Sequence, residues 1–145
     1  MNIIETMKAT LEAFPKIQSL HLDYSENAPD EYGLYPTGDR KVSEDVIEGQ
    51  ERQHTFVLYA AFQSFNDYDR LTNSGLLLDL QLWLESYAND QELTTVISGR
   101  EHAGMLRSIS CANGMLFNIP DNNMNAAVQY QMQITAEYTI ESEEF

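Results

Sequence analysis

Lysine and arginine are scarce in this chain of 145 residues, 8 against 23 Asp plus Glu, for a formal net charge of -15 at pH 7. Such a surface repels polyphosphates and anionic lipid, which argues against direct grasping of nucleic acid or of an anionic membrane. It suits a basic partner, or a passage through which DNA slides without sticking. Cysteine is limited to Cys111. An internal disulfide is therefore impossible, and nothing implies an oxidising compartment. The three histidines, His21, His54 and His102, fall in different segments without the close spacing of metal ligands. No phosphate-binding P-loop, nucleophile elbow or dinucleotide glycine fingerprint occurs. The opening MNIIETMKATLEAF has no basic leader and carries Glu5 and Glu12 inside its apolar pattern. It reads as neither a signal peptide nor a membrane span, and the expected setting is cytoplasmic.

What is present fits a globular domain: 43% hydrophobic and 21% charged residues. Residues 1–140 are expected to form one α+β domain, and the acidic 141–145 a frayed tail. Ile3, Ile4, Met7, Leu11 and Phe14 recur at helical spacing behind a capping Asn2, which predicts a helix over about 3–14 that ends near Pro15. Ile17, Leu20 and Leu22 suit a short strand. YGLYPTGDR reads as a short extended piece and a turn, held at an edge or cut short by Pro36. Two strands are expected on either side of Gly49, the second with apolar residues of both parities over 55–62, hence central or covered on both faces. Leu77, Leu80, Leu84 and Tyr87, widened by Leu76 and Trp83, predict a long second helix, capped by Asp67 or by Asn73 or Ser74, with the earlier start favoured. Leu93–Ile97 follows as a strand. Asn113-Gly114, between two apolar runs, predicts a type I′ hairpin turn. The expected architecture is an antiparallel β-sheet with two main helices packed on one face and a long C-terminal strand.

That last strand, VQYQMQITAEYTI, alternates strictly. Val128, Tyr130, Met132, Ile134, Ala136, Tyr138 and Ile140 make one apolar side. Gln129, Gln131, Gln133, Thr135, Glu137 and Thr139 make the other, where only Glu137 is charged. Twelve steps at about 3.3 Å reach roughly 40 Å, the width of a globule of this size. A solvated face on so acidic a chain should hold more carboxylates. A neutral polar face is suited to contact another chain with little charge desolvation. The alternative is an ordinary face covered by water or by the chain's own loops.

Chemistry is poorly advertised. Asp67 and Asp69 lack a third ligand and a loop glycine, and suit the start of a helix better than a cation site. Cys111 reads as a buried, inert thiol, and Glu141, Glu143 and Glu144 as a solvated tail. Arg70 and Asn73, three apart, fall on neighbouring parts of one helical turn, to lock the preceding loop or to touch a neighbouring subunit. No catalytic, metal or cofactor residue is nominated, and an enzyme is not expected.

The segments YGLYPTGD, EGQERQHTFVLYAAF and RLTNSGLLLDLQLWLE bring a family into view. Tyr35-Pro36 before Gly38, the strand Phe56–Phe62, Arg70 with Asn73, Trp83-Leu84-Glu85, and the last strand with Tyr130 and Tyr138 resemble the minor capsid or tail-terminator proteins of long-tailed phages and prophages of Gram-positive bacteria. The resemblance covers about 1–140 and rests on order and spacing. It implies a ring, hexameric in such proteins, that caps the head-proximal end of the tail tube and meets the head connector. The implied partners are other copies of the chain, the tail-tube protein and the connector, with no sequence-specific nucleic-acid binding and no membrane. The implied location is the host cytoplasm during assembly and then the tail or neck of the virion. In such a ring the strand face Gln129 to Thr139, with Arg70 and Asn73, is the expected interface, and surplus carboxylates line the hole. A head-completion or connector protein of the neck is the nearest alternative. A small-molecule-binding α+β module and an acidic DNA mimic belong to other classes.

Overall fold

In the computed structural model the described residues are 1–17, 20–23, 31–45, 47, 49–62, 67–87, 91–118 and 128–142, without the side chains of 31, 62, 67–71, 73, 113–118, 128 and 129. They form a mixed α+β fold: α1 (Ile3–Glu12), β1 (Leu20–Leu22), β2 (Glu31–Asp45), β3 (Gly49–Phe62), α2 (Asp67–Tyr87), β4 (Gln91–Ile97), β5 (Arg100–Asn118) and β6 (Val128–Ile140). The strands make one six-stranded sheet in the order β1-β2-β3-β6-β5-β4. β1 runs parallel to β2 and every other pair is antiparallel.

Local chemistry sets the start of α1. The Asn2 side chain accepts from the Glu5 N–H at 2.9 Å, and Glu5 Oε1 accepts from the Asn2 N–H at 3.2 Å, a reciprocal cap. The helix stops at Glu12 rather than at Phe14. A residue before proline is driven out of the helical region, so the last turn tightens ahead of Pro15. Phe14 is still buried, and its ring meets Trp83 of α2 at 5.2 Å.

α1 touches both edge strands, β1 and β4. Six strands laid flat span roughly 24 Å, about twice the width of a helix with its side chains, so the sheet must curl for one helix to reach both edges. The Met1 carbonyl also accepts from the Thr94 N–H of β4 at 2.8 Å. One hydrophobic cluster joins Met7 and Leu11 of α1, Leu77, Leu80 and Leu84 of α2, Leu34, Phe56 and Leu58 of β2 and β3, and Met132, Ile134 and Ala136 of β6.

Several expectations are corrected. β2 is not a short piece followed by a turn but runs 15 residues through Pro36, which lies at an edge as the first alternative had it. The proline is tolerated because β1 pairs no further than Leu34, leaving β2 as the edge beyond. Asn113-Gly114 is not a turn. Both residues lie inside β5, where the register against β6 shifts between Ala112 and Met115. The hairpin turn is Ser98-Gly99, with φ of 52° and 80° between paired Ile97 and Arg100, a two-residue turn of the I′ kind. α2 takes the longer form from Asp67, but Tyr87 is exposed rather than in its buried stripe. Ile17 is buried outside β1. Residues 119–127, between β5 and β6, lie outside the described residues.

Candidate subunit interface

Strand register decides what faces outward. Even-numbered residues of β6 from Tyr130 to Ile140 are buried, and the described odd-numbered ones are half-buried or exposed. On the outer side, Tyr35, Val57, Gln133 and Ala112 form one row across β2, β3, β6 and β5. Gly38, Thr55, Thr135 and Ser110 form the next, followed by Arg40, Gln53, Glu137 and Ser108. On the other side of the first row, Tyr59 pairs with Gln131. Arg40 and Glu137 are the charged members of these rows, and both sit in the last. Every residue of the three complete rows is half-buried or exposed, so the described residues of the chain do not cover this face. Tyr35 and Tyr59 meet edge to face at 5.3 Å, a rigid aromatic pair on its β2–β3 side.

The predicted interface residues are thus partly brought together. Gln131, Gln133, Thr135, Glu137 and Thr139 share the outer face. Gln129 lies in the same register opposite Ala61, but its side chain is outside the described residues. Arg70 and Asn73 lie on α2, and their side chains too are outside the description. β3 is central, as its composition suggested, yet Thr55, Val57 and Tyr59 are half-buried rather than fully covered.

Among the described residues the edge of β2 beyond Leu34 has no strand beside it, and it is a poor place for one. Pro36, register shifts around Thr37 and Val42, and the exposed Lys41 all blunt it. Carboxylates collect at one end of the sheet. Glu44, Asp45 and Glu51 near the β2–β3 turn, Glu101 near the β4–β5 turn, and Glu141 after β6 are all exposed. A groove of about 700 Å³ runs there between the β2–β3 turn and β6, with Glu44, Asp45, Glu51, Arg107 and Glu141 in its walls.

A polar cluster on the inner side was not nominated from the sequence. The register shift at Thr37 turns Asp39 inward, opposite His54. Its carboxylate accepts from His54 Nδ1 at 2.9 Å, Tyr138 OH at 2.5 Å and Arg52 Nε at 2.5 Å. The backbone of Asp39 is on the open edge, so the residue as a whole is exposed, while its side chain keeps only 23% of its exposure. Burial raises the Asp39 pKa, but the hydrogen bonds from Tyr138, Arg52 and His54 and the charge of Arg52 outweigh it and hold the group below the ordinary carboxylate value. Burial, then the bond to Asp39 and its charge, push Tyr138 above the ordinary phenol value. The His54 ring lies 4.5 Å from that of Phe56, and its Nε2 is enclosed without a hydrogen-bond partner among the described residues. The cluster ties β2, β3 and β6 together at the polar end of the core. His102 Nδ1 lies 3.1 Å from the Glu141 carbonyl, and no group of three metal-ligating side chains occurs among the described residues.

Cys111 is half-buried and packs against the core beside α2. Burial, helped by the charge of Glu85, pushes its thiol up to about 12. At pH 8 roughly one molecule in ten thousand then carries the thiolate. The folded protein is expected to react with a disulfide-type thiol reagent at least about a hundredfold more slowly than the unfolded chain. Immediate full labelling at pH 8 would contradict this environment.

A comparison of the chain with protein-family models found no match, and one with curated proteins found none either.

Proposed function

We propose that the chain is a structural phage subunit, resembling a tail terminator, that closes into a ring on the head-proximal end of the tail tube and joins it to the head. In this reading both helices pack on one side of the sheet, and the long strand β6 carries the middle of the other side to a neighbouring copy. The observation that supports it is the outer face of β2, β3, β6 and β5: left uncovered by the described residues, nearly uncharged over its three complete rows, and aromatic on its β2–β3 side, on a chain of net charge -15. Burying such a face costs little charge desolvation, whereas burying unpaired carboxylates is expensive. Arg70 and Asn73, at the head of α2 on the opposite side of the sheet, are proposed as further contacts with a neighbouring copy. The carboxylates at the end of the sheet suit the wall of a passage, where negative charge keeps DNA from adhering as it slides through.

The test is Gln131→Lys together with Gln133→Lys. The double variant is expected to keep the wild-type melting temperature and to lose ring assembly in light scattering and negative-stain images. Normal assembly of the variant would remove this face from the interface. The role itself is tested by incubating the wild-type protein with isolated tail tubes and with portal-bearing heads. Binding to the tubes is expected. Binding to heads alone would move the protein to head completion.

A further inference from the structure

A ring contact that closes by rotation needs two different patches on every copy, and the outer sheet face is one of them. The described surface offers a matching second patch on α2. Leu78 and Leu82 are 54% and 55% exposed, one turn apart. At 100° per residue they lie roughly 150° round the helix from the buried Leu77, Leu80 and Leu84. α2 therefore has two apolar sides, one in the core and one pointing away from it. The inner residues of β6 share a cluster with those buried leucines, so the outer sheet face and the leucine pair point in opposite directions.

We propose that the occupant of the leucine ridge is the outer sheet face of a second copy of this chain, with Leu78 and Leu82 seated against Tyr35, Val57 and Tyr59. Size fits: the four strands span roughly 19 Å with their side chains, and a helix about 10 Å wide lies within that. Charge fits too. The ridge is flanked by exposed Asp79 and Glu85, while exposed Arg40 stands on β2 two rows from Tyr35. Each docking covers the bare side of one two-layer unit with the helix layer of the next, and repetition gives a head-to-tail closed ring or an open filament. The proposal rests on the ring reading only for closure. The pairing of the two patches stands or falls by itself.

Mixing separates these ideas. Leu78→Glu with Leu82→Glu spoils the ridge, and Gln131→Lys with Gln133→Lys spoils the sheet face. Each variant alone is expected to be monomeric in light scattering, with association weakened at least about a hundredfold. Mixed in equal amounts they are expected to form a one-to-one pair and nothing larger, because one good ridge and one good face remain. Leu78→Ser with Leu82→Ser serves in place of the glutamates if they disturb folding, with thermal unfolding as the check. Wild-type assembly by the ridge variant, or a mixture that stays monomeric, overturns the pairing. Rings on tail tubes that ignore the ridge substitutions also overturn it and leave the phage role intact. Assembly through both patches without binding to tubes does the reverse.

Discussion

Asp39→Ala is expected to lower the unfolding free energy by about 3 kcal/mol, seen as a fall in the denaturant midpoint at unchanged slope. The loss follows from what the substitution leaves behind. Arg52 loses its carboxylate, and the His54 Nδ1 and Tyr138 hydroxyl lose their shared acceptor. Breaking a fully buried pair costs about 3–5 kcal/mol. Here the Asp39 and Arg52 side chains keep 23% and 26% of their exposure, so water recovers part of the loss and the lower end applies. Asp39→Asn retains an acceptor and should lose less. A change under about 1 kcal/mol for Asp39→Ala would mean that the cluster does not fasten the strands.

The same cluster contributes to both limbs of the pH profile. The Asp39 pKa is lower in the folded chain than its ordinary 3.8. Between the two values the unfolded chain binds more protons, so this contribution is complete above the unfolded value and is lost as pH falls through the folded one. Tyr138 shifts the other way, above its ordinary 10.0. Its contribution is complete below that value and is lost as pH rises past it. Asp39→Asn should flatten the acid limb below about pH 4, and Tyr138→Phe the alkaline limb above about pH 10.

Gly104→Ala is expected to cost about 3–4 kcal/mol, because its penalty is contact with backbone rather than conformation. A Cβ at Gly104 would overlap the Thr139 carbonyl oxygen and lie 2.9 Å from its carbon. Neither atom can swing aside. β5 would have to leave β6 where the Met105 N–H donates to Thr139 Oγ1 at 3.0 Å and the Glu141 N–H donates to the Ala103 carbonyl at 2.8 Å. Gly49 crowds the same end of β6 from the other side, against the Ile140 carbonyl. Gly99 is the control. It has a φ of +80° but nothing within 4 Å of a new Cβ, so Gly99→Ala carries the conformational cost alone, about 1 kcal/mol. Equal losses at the two sites would contradict the close approach of β5 and β6.

These residues show what the sequence could and could not reveal. The cap of α1 was readable because Asn2 and Glu5 act on each other within one turn. The α+β class and the alternation along β6 were readable for the same local reason. Asn113-Gly114 misled because its turn preference, a local term, is overridden by pairing with β6. Ser98-Gly99 makes the turn with a weaker signal. Asp39 was missed because period-two reading places it with Tyr35 on the outer side, and one extra residue at Thr37 reverses that parity. Its partner Tyr138 lies 99 positions away, and no local pattern joins them. Within the predicted interface, β6 supplied Gln131 to Thr139, but the Tyr35–Tyr59 pair becomes visible only when β2, β3 and β6 are laid side by side.

The most direct test of the outer face as a contact surface is hydroxyl-radical footprinting across protein concentration, with particle mass followed by light scattering. Where the mass rises, oxidation of Tyr35 and Tyr59 is expected to fall severalfold, while Met1, 65% exposed, remains as reactive as in the monomer. Assembled particles whose Tyr35 and Tyr59 oxidise at the monomer's rate would contradict the account.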